Sequence, residues 1–336
     1  MHGQTVVVIG GGVVGLSSAL ALLAPQRRVI VFERDARPAR HSSWAGGGIV
    51  CPLWPWREPE GLWALVERSR ALYPVLAAQL ARETGIDVEY RLSGIEWQLN
   101  DSERSRAERW LRSRGLTVLD REDRLFCPDL GQVRNPRLGR ALARAFERRG
   151  GVLHCSASAR PWLDAGRVCG VIAPEGPVAA DAVVLAAGAW ASETWPAQPP
   201  AIFPVKGQML LKRVPGAAVR PVSIGAEVYV IPRADDHVVI GSTVEHAGFD
   251  IRVTASARHQ LLGAADRLAP WQAAAPVLGQ WAGLRPGSRE TLPVVASAAT
   301  PGLWLNLGHY RNGITLAPAC AEVLCQQMGY QSSLVS

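Results

Sequence analysis

Val6–Leu22 reads VVVIGGGVVGLSSALAL, and Arg28–Glu33, shortly after it, reads RVIVFE. A run of β-branched residues halts at glycine, and an apolar stretch of helical period follows. The second run is a buried strand that ends on an acid. Together they make a strand, helix, strand unit of about 30 residues. Gly10, Gly12 and Gly15 stand at the strand-to-helix junction in the spacing GxGxxG. Gly10 permits the tight turn, Gly12 lets a pyrophosphate approach the backbone, and Gly15 lets helix and strand pack closely. The helix N-terminus adds amide donors and a positive dipole end for the phosphates. Glu33 lies near the ~20-residue spacing expected of the acid that accepts hydrogen bonds from ribose hydroxyls. The unit predicts a nucleotide site. Its acid fits an unphosphorylated ribose, which argues against NADP and leaves NAD and FAD open.

Outward from this unit, Glu60–Thr84 carries an apolar stripe at Leu62, Leu65, Val66, Leu72, Leu76 and Leu80, which predicts a helix. Val88–Leu99 reads as strands, Asp101–Arg114 as a solvated, charge-rich helix, and Leu119–Arg134 as loop. Asn135–Cys155 reads as helix, glycine stop and strand, and Asp181–Ala191 as a buried strand ending in small residues. From Val205 to Val244 the period changes to 2, and VKGQMLL, EVYVIPR and HVVIGSTV predict an antiparallel sheet, with Ala234, Asp235 and Asp236 turning between the last two. A helix is expected at Ala255–Leu268. Gln280–Ala319 returns to short strands, glycine turns and a final helix after Gly313. A nucleotide-binding domain interrupted by a second domain inserted in two pieces accounts for this order. The expected boundaries are 1–87, 135–204 and 281–330 for the first, and 88–134 and 205–280 for the second.

At 336 residues two structural domains are expected. Hydrophobic content of 48% against 19% charged residues is the balance of a folded protein. The formal charge of +7 comes almost wholly from arginines scattered among acids, where a nucleic-acid binder concentrates its basic residues. The excess reads as surface character with a field that attracts small anions. Nothing resembles a signal peptide or a bilayer span, so a soluble, cytoplasmic protein is expected, with no membrane and no nucleic acid among its partners. The six cysteines form no CxxC pair and no zinc spacing with histidine, so no metal is expected. Asp235, Asp236 and His237 read as turn chemistry rather than ligands. Ser17 and Ser18 lack the surroundings of a hydrolase nucleophile. The twelve tryptophans are dispersed, as packing residues are.

His41–Pro52, HSSWAGGGIVCP, bears on the choice of cofactor. Ser42 and Ser43 are donors for phosphate oxygens, and Gly46, Gly47 and Gly48 let backbone approach a flat ring system. The split architecture also favours a flavin over a nicotinamide. Two arginines sit among Gly, Pro, Trp and Tyr: Arg285 in WAGLRPGS and Arg311 in LGHYRNGITLAPA. Both are candidates for a substrate carboxylate, which a planar guanidinium fork can grip at two points. Gly308, Asn312 and Gly313 precede a helix whose N-terminus can stabilise negative charge on a reduced flavin. Tyr229 offers a hydroxyl from within an apolar strand.

VVVIGGGVVGLS, SSWAGGGIVCP, VRNPRL, VKGQML, YVIPR, VIGSTVEHAGFD, WAGLRPGS and GHYRNGITLAPA run nearly end to end. In that order the chain resembles the glycine oxidase (ThiO) branch of the D-amino-acid oxidase superfamily. The resemblance implies an α/β fold: a Rossmann-like FAD-binding domain of the D-amino-acid oxidase type, with an inserted α+β substrate domain built on a large antiparallel sheet. It implies FAD-dependent oxidative deamination of a small amino acid (glycine, sarcosine or D-amino acids) by hydride transfer to flavin N5. O2 then reoxidises the flavin and H2O2 leaves, with a link to thiamine thiazole synthesis and a homo-oligomeric state. Carried over residue by residue, the FAD contacts fall on Val13, Val14, Glu33, Arg34, Ser42, Ser43, Gly47, Gly48, Ile49 and Ala159. They continue along His309, Tyr310, Arg311, Asn312, Gly313, Ile314 and Thr315. Arg285 meets the substrate carboxylate, assisted by Tyr229 and Arg311. No side-chain base is required, so the protein's share is positioning and electrostatics.

Three departures from the family pattern stand out. The segment before Gly131 is short, which trims the substrate domain. Glu227 stands where some relatives carry His, and is expected to alter amine preference. No cysteine stands near WAGLRPGS, where sarcosine oxidases attach their flavin, so the FAD is expected to be non-covalent. Other readings are an FAD-dependent D-amino-acid or secondary-amine dehydrogenase using a non-oxygen acceptor, a silent FAD-binding assembly partner, and an NAD-dependent dehydrogenase. Arg285 and Arg311 argue against the silent protein, and the split domain against the last.

Overall fold

Val6 and Val8 face one side of their strand and Val7 and Ile9 the other, and both sides are buried, as a strand central to a layered α/β domain requires. The strand, Gln4–Ile9, lies within a six-stranded sheet. In spatial order the strands are Val294–Ser297, Leu303–Leu307, Ala182–Leu185, Gln4–Ile9, Arg27–Phe32 and Val152–His154, all parallel except the first. The computed structural model describes residues 3–121, 123–196 and 201–335. Leu16 and Leu20 of helix Val13–Leu22, Leu138 and Leu142 of helix Asn135–Arg148, and Leu324 of helix Gly313–Gln327 cover one face of the sheet. Val168 and Val171, from a three-stranded antiparallel meander, pack with Val7 and Ile9 on the other. Ile9 stands in register with both Phe32 and Leu185, so the carboxyl ends of three parallel strands share one rim. Ligands of open α/β sheets bind beyond that rim.

The second layer system is an eight-stranded sheet. Its order is Val277–Gly287, Phe203–Arg213, His237–Gly241, Tyr229–Pro232, Val222–Ile224, Ile95–Gln98, Arg124–Cys127 and Leu119–Arg121. Only Val222–Ile224 and Ile95–Gln98 pair in parallel. One face packs Leu210, Val230 and Ile240 against Leu261 and Leu268 of helix Ala255–Leu268. The other packs Trp97 and Ile231 against Trp63 and Val66.

Trp63 and Val66 belong to helix Glu60–Thr84, which spans the range expected from its stripe and ends at Gly85, left-handed at φ 71°. Pro74 stands inside it, a placement that costs about 3 kcal/mol. The helix persists because it serves two cores: Leu62, Trp63 and Val66 go to the large sheet, and Tyr73, Leu76 and Leu80 to the nucleotide side. Each such side chain contributes about 1.5–3 kcal/mol on burial, which outweighs the proline.

Three expectations need correction, and one element was not expected. Leu119–Arg134, expected as loop, contains a hairpin, Leu119–Arg121 with Arg124–Cys127, whose Leu125 and Cys127 are buried opposite Trp97 and Ile95. The charged run from Asp120 to Arg124 conceals it. Val88–Leu99 contributes one strand, Ile95–Gln98. The meander Arg160–Ala179 had no counterpart in the sequence pattern, because Gly166, Gly170, Gly176 and Pro177 give it the composition of turns. The boundary expected at residue 281 falls inside strand Val277–Gly287, which pairs with Phe203–Arg213 along its length. Among the described residues no helix is long and apolar enough to cross a membrane.

Gly15 has no room for a side chain: a Cβ there would fall 1.9 Å from the carbonyl oxygen of Gly10. Gly15→Ala should destabilise the fold by about 3 kcal/mol through overpacking. Thermal unfolding measures this, and an unchanged midpoint would contradict the packing described.

Candidate active site

A cavity of about 620 Å³ opens at the carboxyl rim of the parallel sheet and runs on to the large antiparallel sheet, within the range of small-molecule sites. At its nucleotide end, Gly10 turns with φ +110°, and a Cβ there would meet the Ala186 carbonyl. Glu33 is 7% exposed and holds this turn closed. Its Oε2 accepts the Gly11 amide at 2.8 Å and its Oε1 the Asp35 amide at 2.9 Å. Burial raises the Glu33 carboxyl above its ordinary value, and the two amides offset only part of that. Each oxygen keeps a further lone pair for a ribose hydroxyl. Val13, at the helix N-terminus, donates its amide to Ser43 Oγ at 2.9 Å, leaving that hydroxyl's proton for a phosphate oxygen. Ser42 also lines the cavity, but its hydroxyl donates to the Leu284 carbonyl and ties this segment to the large sheet.

Trp190 is a wall residue that sequence reasoning missed. The Arg34 guanidinium lies 3.9 Å over its ring, His41 is tilted against it at 4.4 Å, and Phe249 stacks on it at 5.5 Å. Its only sequence signal was its place after the small residues of Ala186–Ala189, which also line the cavity together with Ala159.

The glycine segment reaches the middle of the cavity. Gly48 is left-handed at φ +71°, and a Cβ on it would strike the Val133 carbonyl at 2.1 Å. Two side chains outside the segment hold it. Arg233 is 4% exposed and donates to the Gly47 carbonyl at 2.8 Å, to Gln132 Oε1 at 2.7 Å and to the Val133 carbonyl at 3.1 Å. Burial lowers this guanidinium to about 10, with the nearby Arg134 adding to the effect. Asn135 donates to the carbonyls of Ser43 and Trp44 at 2.9 and 2.7 Å. VRNPRL and YVIPR therefore shape the loop from behind.

His309, Tyr310, Arg311, Asn312, Gly313 and Ile314 line the cavity where helix Gly313–Gln327 begins. His309 is 4% exposed, and among the described residues its Nε2 has no hydrogen-bond partner. Burial holds this imidazole down to about 4, so it is neutral at ordinary pH. Gly15 and Thr315 do not line the cavity; Thr315 stands behind it and donates to the Ile49 carbonyl at 3.1 Å.

Arg285 closes the far end. It faces the cavity from strand Val277–Gly287, and a Cβ on Gly207 of the paired strand would come within 2.2 Å of its Nη2. The missing side chain is the seat of the guanidinium. Arg285 donates to the Lys206 carbonyl at 3.1 Å, Ser242 Oγ at 2.6 Å and the Thr243 carbonyl at 3.2 Å. Burial lowers its pKa, and nearby Tyr229 opposes this. Among the described residues no carboxylate forms an ion pair with it. Trp281, Met209, Gly241 and Tyr229 make one cross-strand row beside it, in which the Tyr229 hydroxyl donates to Met209 Sδ at 3.4 Å. Arg311 is exposed at the cavity wall, 5.2 Å from the Tyr310 ring.

Glu227, expected to alter amine preference, lies outside the cavity and pairs with Arg267 at 2.8 Å at the surface. Asp235 is engaged with Arg134 at 2.7 Å and His237 at 3.0 Å, as turn chemistry requires. The cavity fits FAD on its own features: a ribose acid, an amide and serine for the pyrophosphate, glycine walls for a flat ring, and the orphaned His309 Nε2.

Residues 5–327 match the family model described as FAD dependent oxidoreductase (DAO). The chain is 39% identical to the glycine oxidase of Pseudomonas aeruginosa over 354 aligned positions, covering 99% of this chain and 96% of that one. It is 33% identical to the bifunctional protein ThiO/ThiG of Trichormus variabilis, covering 98% of this chain and 53% of that one. The crystal structure of glycine oxidase from Geobacillus kaustophilus superposes with a TM-score of 0.90 at 28% identity, covering 98% of this chain and 95% of that one.

Glu33→Ala would remove a charged acceptor, worth about 1.5–3 kcal/mol per hydrogen bond. FAD affinity should fall by roughly 10- to 100-fold. A fluorescence titration that finds it within twofold of the native value would contradict the ribose assignment.

Proposed function

We propose that this chain, which belongs to the FAD-dependent oxidoreductase family, oxidises the amine of a small amino acid, glycine first, with sarcosine and D-amino acids as further candidates. The observation that carries the proposal is Arg285, a cation without a carboxylate partner among the described residues, seated over Gly207 at the end of a cavity whose other end is lined by Gly10, Gly12 and Glu33. An amino-acid carboxylate supplies the missing charge.

FAD held along this cavity by Glu33, Ser43, Gly47, Gly48 and the His309–Ile314 segment would supply the oxidising chemistry, taking a hydride from the substrate α-carbon and delivering both electrons to O2. The imine so formed takes up water, and glycine, O2 and H2O become glyoxylate, ammonia and H2O2. The protein's work is to orient and to exclude water. Arg285 anchors the carboxylate, with Tyr229 and Arg311 assisting from the cavity wall. Met209 and Leu53 supply apolar wall, which strengthens the electrostatic grip by keeping water out. The substrate enters with its amine neutral, so no side chain has to remove a proton from carbon.

The remaining assignments stand with this reading. Gly10, Gly12, Val13, Val14 and Ser43 hold the pyrophosphate, Glu33, Arg34 and Ala159 the adenosine, and Gly47, Gly48, Ile49 and the His309–Ile314 segment the ring system. Non-covalent attachment, O2 as acceptor, a homo-oligomeric state and a supply of imine to thiamine thiazole synthesis complete the proposal. The nucleotide part includes the meander Arg160–Ala179, and the return from the large sheet comes after Gly287 rather than at 281. The dehydrogenase alternative is not favoured.

A peroxide assay over glycine, sarcosine and D-amino acids tests the reading. Peroxide in step with substrate consumed is expected. Reduction of a dye without peroxide in air would replace the oxidase by the dehydrogenase. Arg285→Ala should cost about 2–5 kcal/mol in kcat/KM, and an unchanged value would remove the carboxylate assignment.

A further inference from the structure

Arg285 carries five N–H donors in a rigid fork. Three are already committed: one from Nη1 to the Lys206 carbonyl, and two from Nη2 to Ser242 Oγ and the Thr243 carbonyl. The two protons left, on Nε and Nη1, lie on different edges of the planar group. No adjacent pair remains for a two-point grip on a carboxylate. The Tyr229 hydroxyl is likewise turned to Met209 Sδ.

Ser242 lies beside this gap. Its oxygen accepts from Arg285 Nη2 at 2.6 Å, and the residue lines the same cavity. Among the described residues its own proton has no acceptor. The segment that carries it is braced from the back of the sheet. Thr243 Oγ1 donates to Glu245 Oε1, which also accepts from Gln208 Nε2 at 2.9 Å, and Lys206 Nζ lies 3.3 Å from Glu245 Oε2. The hydroxyl is thus held against the guanidinium by a network that does not itself enter the cavity.

We propose that Ser242 is the second member of the substrate-carboxylate site, its hydroxyl donating to one carboxylate oxygen while Arg285 donates to the other. This inference rests on the reading of Arg285 as the carboxylate anchor. It also makes Ser242 a specificity determinant. A site whose two contacts are both donors accepts a carboxylate at both oxygens, whereas a carboxamide presents its own donor to one of them.

The test uses purified, FAD-loaded protein and glycolate, a small carboxylate without an amine, followed by the change in flavin absorption on binding. Ser242→Ala should weaken glycolate binding and raise KM for glycine about tenfold, as loss of a hydrogen bond to a charged group predicts. At saturating glycine, kcat should stay within about twofold, because uniform binding is lost rather than transition-state contact. Ser242→Thr keeps the donor and should bind glycolate as the native protein does. The inference is overturned if Ser242→Ala binds glycolate as tightly as native, if the loss appears in kcat alone, or if the threonine variant is as weak as the alanine one. Arg285→Ala separates the two levels. If it leaves glycolate binding intact, the carboxylate reading itself fails; if it abolishes binding while Ser242→Ala does not, only the role of Ser242 fails.

Discussion

The Arg233 guanidinium is buried to 4% exposure, and oxygens of two other segments, Gly47 and Gln132–Asn135, receive its hydrogen bonds. It rises from the end of a strand of the large sheet and grips the glycine segment that belongs to the nucleotide side. Among the described residues no carboxylate pairs with it, and a buried cation so placed is costly unless its donors are satisfied. Here carbonyl and amide oxygens satisfy them, which makes the spacing of the two sheets intolerant of slippage. The loop Ser42–Gly48 is therefore a fixed wall, held from behind by Arg233 and Asn135, and the cavity has a set length between Glu33 and Arg285.

That fixed length is what the chemistry needs. An enzyme that relies on its cofactor for the reaction contributes orientation, charge and dryness. One end offers a carboxylate to ribose hydroxyls, and the other a guanidinium to a substrate carboxylate. Strand pairing sets the second end: Gly207 stands two register rows from Arg285, on the same face of the sheet, and leaves the space that the guanidinium fills. Helix Glu60–Thr84, packed into both cores despite Pro74, ties the two sheets together away from the cavity.

What was legible in the sequence was local. The turn at Gly10, the close approach at Gly15 and the acid at Glu33 follow from chemistry within one short unit: Gly10 has φ +110°, Gly15 has no room for a Cβ, and Glu33 lines the cavity. The stripe of Glu60–Thr84 and the period of 2 from Val205 onward were legible for the same reason. The hairpin Leu119–Cys127 and the meander Arg160–Ala179 were not. Their strands are short and punctuated by charge or glycine, and their burial depends on partners distant in the chain. Long-range contact also hid Arg233, Asn135, Trp190 and Ser242. Arg233 reaches Gly47 across 186 positions, and no spacing rule announces such a contact. Glu227 erred the other way: adjacency to Tyr229 in sequence suggested the cavity, but the end of the strand carries it to the surface.

One cavity with a nucleotide end and a carboxylate end, held at fixed separation, is the centre of this account. A crystal structure of the FAD-loaded protein with glycolate tests it most directly. The account predicts the adenosine at Glu33, the ring system between Gly47–Ile49 and His309–Ile314, and the glycolate carboxylate on Arg285. A ring system bound elsewhere, or glycolate seated away from Arg285, would contradict it.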